Sequence, residues 1–557
     1  MNYVGTARPI HDAKGKATGY SKYAGDISLS NMAYLCMLHS KIPHGYVKAV
    51  HAEKALALPG VYGVYHCLNT SERKYNRYRS SFDQAYLANE ERAFNQYVRF
   101  VGDKIGAVAA CDQETAEKAA RLVEVEYEEL SFSIGFDDTL AGKNCLDGET
   151  PVRDEYELDV GEKQGSAEGL IEVCSTMELP RLHHATMETH ACIADYDPYS
   201  DMLTVYCPNQ AVHGIRTVLA DFLEMPESHV RVVKATMGGS FGAKQEWFLE
   251  PVTALVAKKL CRPVKLVYSR GEAMTDTIVR GAMRMSARGY YTPDGEMKEI
   301  YCDVTLDAGA YIGNAGDYVR ALAGKPTRCY RIPYMHYHGQ VISSNSPVSG
   351  AFRSWSAAEE ALMMERQLDA AAEKLGMDRL AIRLKNVARS GEEDKKLHLS
   401  LEDIRIGDAI TLGSEKFGWD KLKAEDAAFN ASQQRYRRGV GIGIGGHGNT
   451  YFPRFNDYGE GSISLNADGS MQANFTLHDH GCGTVTAMRM IAAEVLKVPE
   501  DKIYMTEGDT AVTPIDYGCF ASRTTYVVGR AVQDAANALR KKMLHAASTL
   551  LDIPEDE

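Results

Sequence analysis

One helix–proline–strand pattern occurs twice in this chain, and it constrains the fold more than any other feature of the sequence. LADFLEMPESHVRVV begins at Leu219, and the similar segment AAEVLKVPEDKIYMT begins at Ala492. In each copy, apolar residues at helical spacing lead to a proline, which ends a helix, and a run of strand length follows. Two unrelated helix–turn–strand units are the alternative. We favour two related modules, because the apolar positions, the proline and the spacing agree together, and paired modules often hold a ligand between them.

Composition excludes several classes of protein. The chain has 557 residues, 45% of them hydrophobic and 25% charged, which is typical of a globular protein with several domains. A net charge of −13 without a run of Lys and Arg argues against binding to nucleic acid or a membrane surface. The sequence has no apolar leader, no apolar run of the roughly 20 residues that a membrane span needs, and no cysteine spacing typical of iron–sulfur clusters. We expect a cytoplasmic protein with reduced thiols, no nucleic-acid partner and no membrane contact.

Local patterns divide the chain into four segments. The N-terminal part combines an apolar strand over 101–110, a helix over 114–122 and a half-exposed strand from Val123, as in an α/β domain. An acidic, Gly- and Asp-rich stretch follows and predicts a loop-like linker. We expect an α/β domain over 1–130, this linker over 131–170, the most structured stretch over 171 to about 390, and a last part that contains the second copy of the repeated pattern.

The part of the chain after the linker contains the clearest predicted elements. Apolar spacing predicts an amphipathic helix over 215–223, followed by a strand over 230–235. A long helix is predicted over 361–387 with a break near Gly376, because glycine often ends a helix. The highly charged stretch 391–435 predicts a surface connection.

Two segments could surround a ligand with main-chain groups. Met237–Lys244 (MGGSFGAK) contains three glycines, which let backbone N–H groups approach an anion or an oxo ligand; a tight turn is the alternative. The segment lacks both the Walker and the dinucleotide glycine spacing. Gly350–Ser356 (GAFRSWS) places an arginine and an aromatic residue before a helix, which suits a flat or anionic ligand; a loop with a surface arginine is the alternative.

Three polar segments are candidates for metal or anion binding. His183–His190 (HHATMETH) and His478–Gly483 (HDHGCG) contain possible zinc ligands, although neither spacing matches a known zinc set. For the second, a polar turn is an equal alternative. Ala521–Thr525 (ASRTT) leads into a helix whose N-terminus could bind an anion. A zinc-dependent hydrolase would use His183, His184, His478, His480 and Cys482, and we rank this hypothesis low.

The order of these segments resembles that of the molybdenum-binding subunit of the xanthine dehydrogenase/aldehyde oxidase family of molybdenum hydroxylases. MGGSFGAK and AFRSWS are similar to the family's GGxFGGK and AFRGFG motifs. The resemblance runs along essentially the whole chain. Further matching residues are Lys16–Gly19 with Tyr23–Asp26 (KxTGxxxYxxD), Val101–Asp103, Val125–Tyr127, Arg383 with Asn386 (RxxN), Asp509–Thr510 and Ala521–Arg523 (ASR).

The resemblance implies an α+β fold with a particular domain order. Residues 1–130 would form a hammerhead-type α/β domain, and 171–400 a first molybdopterin-binding domain. Residues 401–557 would form the N-terminal part of a second, incomplete one, so that the two cofactor-binding domains are elongated. This assignment agrees with the two related modules predicted from the repeated pattern.

The resemblance also implies a cofactor, molybdopterin in its dinucleotide form with molybdenum. The backbones of Phe241, Arg353 and Ala521 would lie around the metal. The cofactor-binding residues carried over from the motifs are Gly239, Ser240, Phe241, Gly242, Phe352, Arg353, Gly481, Cys482, Gly483, Ala521, Ser522 and Arg523.

Four residues are expected to bind substrate by the same resemblance. Gln245 stands where purine hydroxylases place Glu or Gln, and Arg320 resembles the arginine that holds the purine from the opposite side. Trp355 stands at the position of a stacking Phe, and Thr450 lies in a segment, with Tyr451 and Phe452, that would line the same pocket. An amide, a guanidinium and an indole suit a planar polar heterocycle better than a simple aldehyde.

The chain departs from the family pattern at four places. The GxGE segment with the catalytic glutamate is absent, so no catalytic residue is assigned, and either a second molybdopterin-binding polypeptide supplies it or the chain is a truncated, inactive fragment that binds subunits. Cys482 replaces the Gln of a GQG loop, and Pro180–Leu182 contains no Gln near the metal. Ser354 and Ser356 replace two glycines.

The expected function follows from these correspondences. The chain would bind molybdenum in a hydroxylase or dehydrogenase that oxidises purine-like N-heterocycles of the xanthine/hypoxanthine type with oxygen derived from water. Electrons would pass to an iron–sulfur subunit carrying 2Fe-2S clusters and to an FAD subunit. Oxidation of aldehydes or other heteroaromatic compounds is the alternative activity.

Overall fold

The computed structural model describes residues 3–78, 89–146, 148, 150–163, 165, 168–432, 435–451 and 456–555. Its N-terminal part is a mixture of short strands and helices, as the sequence predicts. The elements of this part are α1 (Ala13–Thr18), β1 (Ala33–His39), β2 (Gly45–His51), α2 (Glu53–Leu56), β3 (Val61–His66), β4 (Lys74–Tyr75), β5 (Glu91–Arg92), β6 (Tyr97–Val98), β7 (Lys104–Ala110), α3 (Gln113–Ala120), β8 (Glu124–Glu129) and α4 (Phe136–Leu140).

The middle part contains longer strands and several helices. Its elements are β9 (Val152–Gly161), β10 (Ile171–Leu179), β11 (Ala191–Asp197), β12 (Met202–Cys207), α5 (Val212–Leu223), β13 (Val230–Lys234), α6 (Glu250–Leu260), β14 (Val264–Val267), α7 (Arg270–Asp276), β15 (Ala282–Tyr291), β16 (Met297–Gly309), α8 (Ala315–Leu322), α9 (Pro326–Cys329), β17 (Tyr334–Ser343), α10 (Ala357–Leu375) and α11 (Arg379–Asn386).

A seven-stranded sheet joins the N-terminal and middle parts. Its order is β13-β12-β11-β14-β1-β7-β3, and β1 pairs in parallel with β14. The large apolar core packs on this sheet and includes Leu35, Val205, Phe222 and Trp247. The structure confirms the two strands and the helix predicted over 101–130, with ends that differ by at most three residues. It confirms the helix and the strand of the first copy of the repeated pattern equally well. Strands from two predicted domains therefore share one sheet.

A second sheet contains five strands in the order β10-β15-β16-β17-β9. Strand β9 pairs antiparallel with β17, from Tyr334↔Gly161 to Ile342↔Val152. The prediction of a loop-like linker over 131–170 is therefore wrong for 152–161. The acidic residues that suggested a loop alternate with the partly buried Tyr156 and Leu158, and β9 is an edge strand with one face exposed.

Helices cover the inner face of the five-stranded sheet. The long helix predicted over 361–387 is confirmed as α10 and α11, and Gly376 between them has the left-handed φ of +64°. The charged stretch that we predicted as a surface connection contains two largely exposed helices. The remaining elements are β18 (Glu393–Asp394), β19 (Leu399–Ser400), α12 (Ile406–Phe417), α13 (Trp419–Ser432), β20 (Gly461–Leu465), β21 (Met471–Phe475), α14 (Thr484–Leu496), β22 (Ile503–Thr506) and α15 (Thr524–Leu551).

The repeated sequence pattern corresponds to two β–α–β units. In β12–α5–β13 and in β21–α14–β22, the two strands of each unit pair in parallel. The units are in direct contact, because the Lys234 amide donates to the Gly508 carbonyl at 2.8 Å and Arg231 forms a two-point ion pair with Asp509. The prediction of two similar helix–turn–strand units is confirmed. Within the described ranges, no helix is both long and apolar enough to cross a membrane.

Candidate cofactor-binding site

The glycine-rich turn after β13 approaches the loop before α10 very closely. Gly242 has φ +107°, and a Cβ atom there would lie 2.5 Å from the Ala351 carbonyl oxygen. The Phe241 carbonyl accepts a hydrogen bond from the Arg353 amide at 2.7 Å. Phe241 itself has φ +57°, and its ring is about half exposed. The structure therefore brings the predicted segments MGGSFGAK and AFRSWS together through their main chains.

Glu188 and Lys244 form an ion pair that holds this turn. The Glu188 carboxylate accepts from the Gly238 amide at 2.7 Å and from the Lys244 ammonium at 2.5 Å. Lys244 is buried, and burial lowers its pKa although Glu188 acts in the opposite direction. The second carboxylate oxygen of Glu188 is buried and has no hydrogen-bond partner among the described residues. Glu188 thus holds the turn and keeps an unused acceptor beside it.

The histidines of HHATMETH fix backbone groups rather than form a metal site. His184 donates to the Ala351 carbonyl at 2.8 Å, and His190 donates to the Ala243 carbonyl at 3.0 Å. Burial lowers the pKa of His184 to about 4 and that of His190 to about 3, so both are neutral donors. His183 instead lies 2.9 Å from the Thr277 hydroxyl.

Gln210 connects the first turn to the C-terminal loops, and the sequence motifs did not identify it. Its side chain accepts from the Ser240 hydroxyl and donates to the Cys519 carbonyl at 2.6 Å. Its backbone bonds to the Lys244 carbonyl and the Cys519 amide, both at 2.9 Å. Ser240 was predicted to bind cofactor, but its hydroxyl is fully buried and bonded to Gln210 and the Lys244 amide. Gln210 therefore joins segments that are far apart in the sequence.

The loop HDHGCG lies at the N-terminus of α14. Asp479 accepts from the Gly481 amide at 2.8 Å and the Val485 amide at 3.3 Å, so it caps the helix. His478 is buried, and its Nε2 accepts from the Val212 amide at 3.3 Å. The last contact occupies one of the proposed zinc ligands, His478. The described part of the chain contains no group of three or more His, Cys, Asp or Glu residues arranged for a metal ion.

A small thiol–imidazole cluster joins this loop to the segment before α15. His480 Nδ1 lies 4.0 Å from Cys482 Sγ and 3.7 Å from Cys519 Sγ. The Thr484 hydroxyl is 2.9 Å from Cys482 Sγ. Burial opposes the charged forms of both partners, but the sulfurs raise the pKa of His480 and the imidazole lowers that of Cys482. The Cys482 thiol is exposed, so it is available to a ligand.

Arg523 is a structural residue in this arrangement. Its guanidinium is fully buried and bonds to Asp457 and Asp516 at 2.8 Å, and to the Tyr458 carbonyl at 2.7 Å. Its donors are therefore used within the protein, by the sequence-distant Asp457 and the nearby Asp516, and the prediction that Arg523 binds cofactor stays a prediction. Ala521 and Ser522 precede it with φ of +49° and +52°, which turns the chain sharply at the predicted cofactor segment.

The loop before α10 is held in a left-handed conformation. Ser354 has φ +77° and Ser356 has φ +63°, at the positions where the family motif has glycines. The Phe352 ring stacks on His184 at 4.2 Å, and the Arg280 guanidinium lies 4.3 Å from the ring centroid. The Phe352 ring is therefore held by protein on two sides, whereas the Arg353 side chain is exposed.

The predicted substrate residues differ in how free their side chains are. Gln245 is half-buried and directly follows the glycine-rich turn. Its backbone N–H donates to the Gly242 carbonyl at 3.2 Å. Trp355 contacts Tyr318 edge-on, with ring centroids 5.6 Å apart. Arg320 forms a two-point ion pair with Asp154, so a substrate would have to share that guanidinium.

Thr450 belongs to an extended segment whose end reaches the C-terminal loops. The neighbouring Tyr451 ring lies 6.3 Å from that of Phe520. Thr450 itself is half-buried, and Phe452 lies outside the described residues.

The geometry of these loops fits a polar cofactor bound mainly by main-chain groups. Gly481 has φ +104°, and a Cβ atom there would meet nothing within 4 Å, whereas Gly239 has φ +93° beside Phe241. The unpaired oxygen of Glu188, the exposed Arg353 and the Cys482 thiol supply an acceptor, a cation and a soft sulfur ligand around them. These groups could hold a flat, anionic, hydrogen-bonding molecule.

Three family models match the chain. An "Aldehyde oxidase and xanthine dehydrogenase, a/b hammerhead domain" matches residues 18–131. Models of a "Molybdopterin cofactor-binding domain" match residues 152–387 and 412–557. The two cofactor-binding matches contain the four loops with the predicted cofactor residues, which are Met237–Lys244, Gly350–Ser356, His478–Gly483 and Ala521–Thr525.

Known proteins are similar along nearly the whole chain. The xanthine dehydrogenase molybdenum-binding subunit of Escherichia coli O157:H7 is 30% identical over 97% of this chain and 72% of its own length. The structure of quinoline 2-oxidoreductase from Pseudomonas putida 86 has the same fold, with a TM-score of 0.90 at 23% identity over 100% of this chain and 72% of that one. Carbon monoxide dehydrogenase from Oligotropha carboxidovorans gives a TM-score of 0.86 at 25% identity, over 99% and 72%.

These matches agree with the hammerhead-like N-terminal part and with the convergence of glycine-rich loops on one polar site. The chain belongs to the xanthine dehydrogenase/aldehyde oxidase family of molybdenum hydroxylases, as an oxidoreductase subunit that binds molybdopterin and molybdenum.

Proposed function

We propose that the protein oxidises purine-like N-heterocycles of the xanthine/hypoxanthine type with oxygen derived from water. One observation carries the proposal: Gln245 and Trp355 lie on two loops that the Phe241–Arg353 hydrogen bond joins. An amide can both donate to and accept from a ring with N–H and C=O groups, and an indole can stack on that ring. The similarity to a xanthine dehydrogenase subunit supports the same substrate class.

The cofactor would sit against the four loops. The Phe241, Arg353 and Ala521 backbones would line the metal side, and Gly239, Gly481 and Cys482 would face the pterin. When bound, molybdenum supplies the two-electron oxidation chemistry. The chain's own contribution is to hold the turn rigidly through Glu188 and Lys244, and to orient the heterocycle between Gln245 and Trp355. Arg320 would bind the substrate and keep its ion pair with Asp154.

The test is substrate turnover by the complex purified from its native cells through a tag on this chain. We expect turnover of hypoxanthine, and a rise of about tenfold or more in KM for Gln245→Ala, because a hydrogen-bonding amide is lost. Gln245→Glu keeps an acceptor and serves as the control. Turnover of benzaldehyde or quinoline alone would overturn the purine assignment in favour of the aldehyde or heteroaromatic alternative.

The same preparation tests Arg320. If its guanidinium binds substrate, Arg320→Ala raises KM while Asp154→Asn, which removes only the ion-pair partner, does not. Equal effects of the two variants would mean that the ion pair acts only on the fold.

We further propose that the working complex contains an iron–sulfur subunit with 2Fe-2S clusters, an FAD subunit and the dinucleotide form of molybdopterin. The names of similar proteins as a molybdenum-binding subunit and a large chain support a multi-subunit assembly. Metal analysis, flavin analysis and nucleotide release by acid hydrolysis test the three components in the tagged complex. A complex without molybdenum, from cells whose other molybdoenzymes are loaded, would favour the inactive-fragment alternative.

We also place this complex in the cytoplasm. All twelve cysteines are free thiols, and two of them contact one imidazole at an exposed loop. Reduced thiols in such a position suit a reducing compartment. Fractionation of native cells with a soluble cytoplasmic marker tests this location.

A further inference from the structure

A buried lysine lies behind the loop that carries Trp355. Lys325 precedes α9 and is 8% exposed. Its ammonium donates to the Trp355 carbonyl at 2.6 Å and to the Ser356 hydroxyl at 2.7 Å. No sequence motif identified this residue. Both donor–acceptor distances are short, so Lys325 anchors this stretch of backbone.

Ser356 shows that the anchor replaces an ordinary local contact. Ser356 occupies the N-cap of α10, where a serine hydroxyl usually accepts a hydrogen bond from the first helical turn. Here the hydroxyl makes no such bond and accepts from Lys325 instead. Ser354 and Ser356 both have positive φ values, which are unfavourable for residues with side chains. Lys325 therefore helps to hold a strained backbone on both sides of Trp355.

The Trp355 side chain is held by packing and makes no hydrogen bond among the described residues. Its ring is half-buried against the core of the five-stranded sheet and meets Tyr318 edge-on, and its indole N–H is buried without a partner. The backbone bond from Lys325 therefore acts together with this packing to orient the indole. A change in the backbone would turn the ring away from its present plane.

Other ionisable groups surround the Lys325 side chain. Glu360 is 1% exposed and near Lys325, and Arg328 and His447 also face it. Burial lowers the pKa of Lys325 to about 7, although Glu360 acts in the opposite direction. Burial also raises the pKa of Glu360 to about 8, and one of its oxygens has no hydrogen-bond partner within the described ranges, so Glu360 is not a second anchor for the loop.

We propose that Lys325 is a positioning residue that orients Trp355 for stacking on a planar heterocycle. The inference rests on the proposed function, in which Trp355 binds the substrate. It adds a residue outside the substrate pocket that sets affinity for flat rings. Lys325 acts through the Trp355 backbone and touches neither substrate nor cofactor in this assignment.

The test compares Lys325→Met with Lys265→Met in the tagged holoenzyme. Lys265 is a buried lysine, 7% exposed, that donates to the Ile27 carbonyl at 2.9 Å, so it has the same kind of contact away from the residues assigned to substrate or cofactor. We expect Lys325→Met to raise KM for hypoxanthine about tenfold, with kcat within about threefold of the parent, and Lys265→Met to leave KM near its original value. Molybdenum content and thermal unfolding are measured for each variant.

A second readout does not depend on turnover. Tryptophan emission is recorded for each protein and for its Trp355→Phe version, and the difference isolates Trp355 from Trp247 and Trp419. Lys325→Met should change this difference spectrum, and Lys265→Met should not. Ser356→Gly, which removes one of the two Lys325 contacts and relieves the positive φ, should give a smaller change and serves if Lys325→Met does not fold.

The outcomes separate this inference from the proposed function. An unchanged KM together with an unchanged Trp355 difference spectrum in Lys325→Met and Ser356→Gly overturns the positioning role. If hypoxanthine is not a substrate but the difference spectrum changes in Lys325→Met alone, the purine assignment fails and the positioning of Trp355 stands. Equal spectral changes in Lys325→Met and Lys265→Met would mean a general structural effect and would also overturn the inference.

Discussion

The two β–α–β units have the same local design but present different loops to the cofactor site. In both, the helix ends at a left-handed residue, Glu224 or Lys497, and a proline and a short 3₁₀ turn lead to a parallel strand. The first unit contributes the loop after its second strand, whereas the second contributes the loop before its helix. The repeated sequence therefore specifies the scaffold, and the chemistry resides in loops outside the repeated pattern.

The loops of the two units also differ in their bracing charges. In the first, the buried Lys244 pairs with one carboxylate, Glu188, whose side chain is 14% exposed. Near the second, the buried Arg523 pairs with two buried carboxylates, Asp457 and Asp516. Removing one partner of a buried ion pair leaves the other charge without compensation.

The largest effect is expected when these braces are removed. Arg523→Met should lower the free energy of unfolding by about 3–5 kcal/mol, because two carboxylates lose their partner. Lys244→Met should cost less, because Glu188 is closer to solvent and still accepts from the Gly238 amide. Urea unfolding of the full chain measures both. The double variant Lys244→Met/Glu188→Gln is the matched control and should recover stability; a larger loss for Lys244→Met than for Arg523→Met would reverse the comparison.

The buried acids next to the two loops also differ. Glu246 follows the first loop, whereas Asp479 lies in the second. Burial opposes the charged form of Asp479, but hydrogen bonds from backbone amides outweigh this effect and lower the pKa of the carboxyl. Burial raises the pKa of Glu246 to about 8, with Arg77 acting in the opposite direction. Because the folded protein holds this proton more tightly than the unfolded chain, its contribution to stability is complete below about pH 4 and declines as the pH rises toward 8. Relative to Glu246→Gln, the parent should lose up to about 1.4 kcal/mol for each pH unit between 5 and 8.

Thermal and urea unfolding at pH 5, 6, 7 and 8 measure this difference. Glu188→Gln is a useful comparison, since Glu188 contacts the same glycine-rich turn and has an ammonium partner. A parent and a Glu246→Gln variant with parallel stability curves would show that Glu246 stays ionised in the folded protein.

Sequence patterns predicted the scaffold better than the site. Periodicity identified the helices on either side of Gly376 and both copies of the repeated unit, because a helix with one buried face has apolar residues at regular spacing. Strand β9 was missed because its exposed face is acidic and conceals the alternating Tyr156 and Leu158. The motifs located the four loops, but their contacts depend on residues far away in the sequence.

Two residues illustrate this limit. Gln210 lies in no motif, and its importance arises only because folding brings Ser240 and Cys519 to its two ends. Arg523 lies in a motif, but its guanidinium faces Asp457 and Asp516, which no local pattern relates to it. Side-chain roles of this kind require the tertiary arrangement.

Glycines with similar backbone angles sharpen the comparison of the two loops. Gly242 and Gly481 have φ of +107° and +104°, but a Cβ at Gly242 would lie 2.5 Å from the Ala351 carbonyl, whereas a Cβ at Gly481 meets nothing within 4 Å. Gly481→Ala should therefore cost only the backbone strain, about 1–2 kcal/mol, and Gly242→Ala should cost more because the two loops must separate. Thermal unfolding and molybdenum content measure the effects. Equal losses would mean that the close contact of the first loop is not needed.

The smallest effect concerns reactivity and distinguishes the second loop, since the first contains no cysteine between Met237 and Lys244. Partial burial opposes the Cys482 thiolate, but the His480 imidazole stabilises it and lowers the pKa of the thiol to about 7. Because the thiolate is the nucleophile, the rate of alkylation by iodoacetamide should rise with pH and reach half its maximum near pH 7. His480→Gln should move this midpoint upward by about one unit or more, because the cation is lost. Mass spectrometry of the Cys482 peptide separates its signal from the exposed Cys111, and Cys482→Ser gives the background. A midpoint that stays the same in His480→Gln would mean that the imidazole does not control the thiol, and the cluster would then be a packing contact of the second loop.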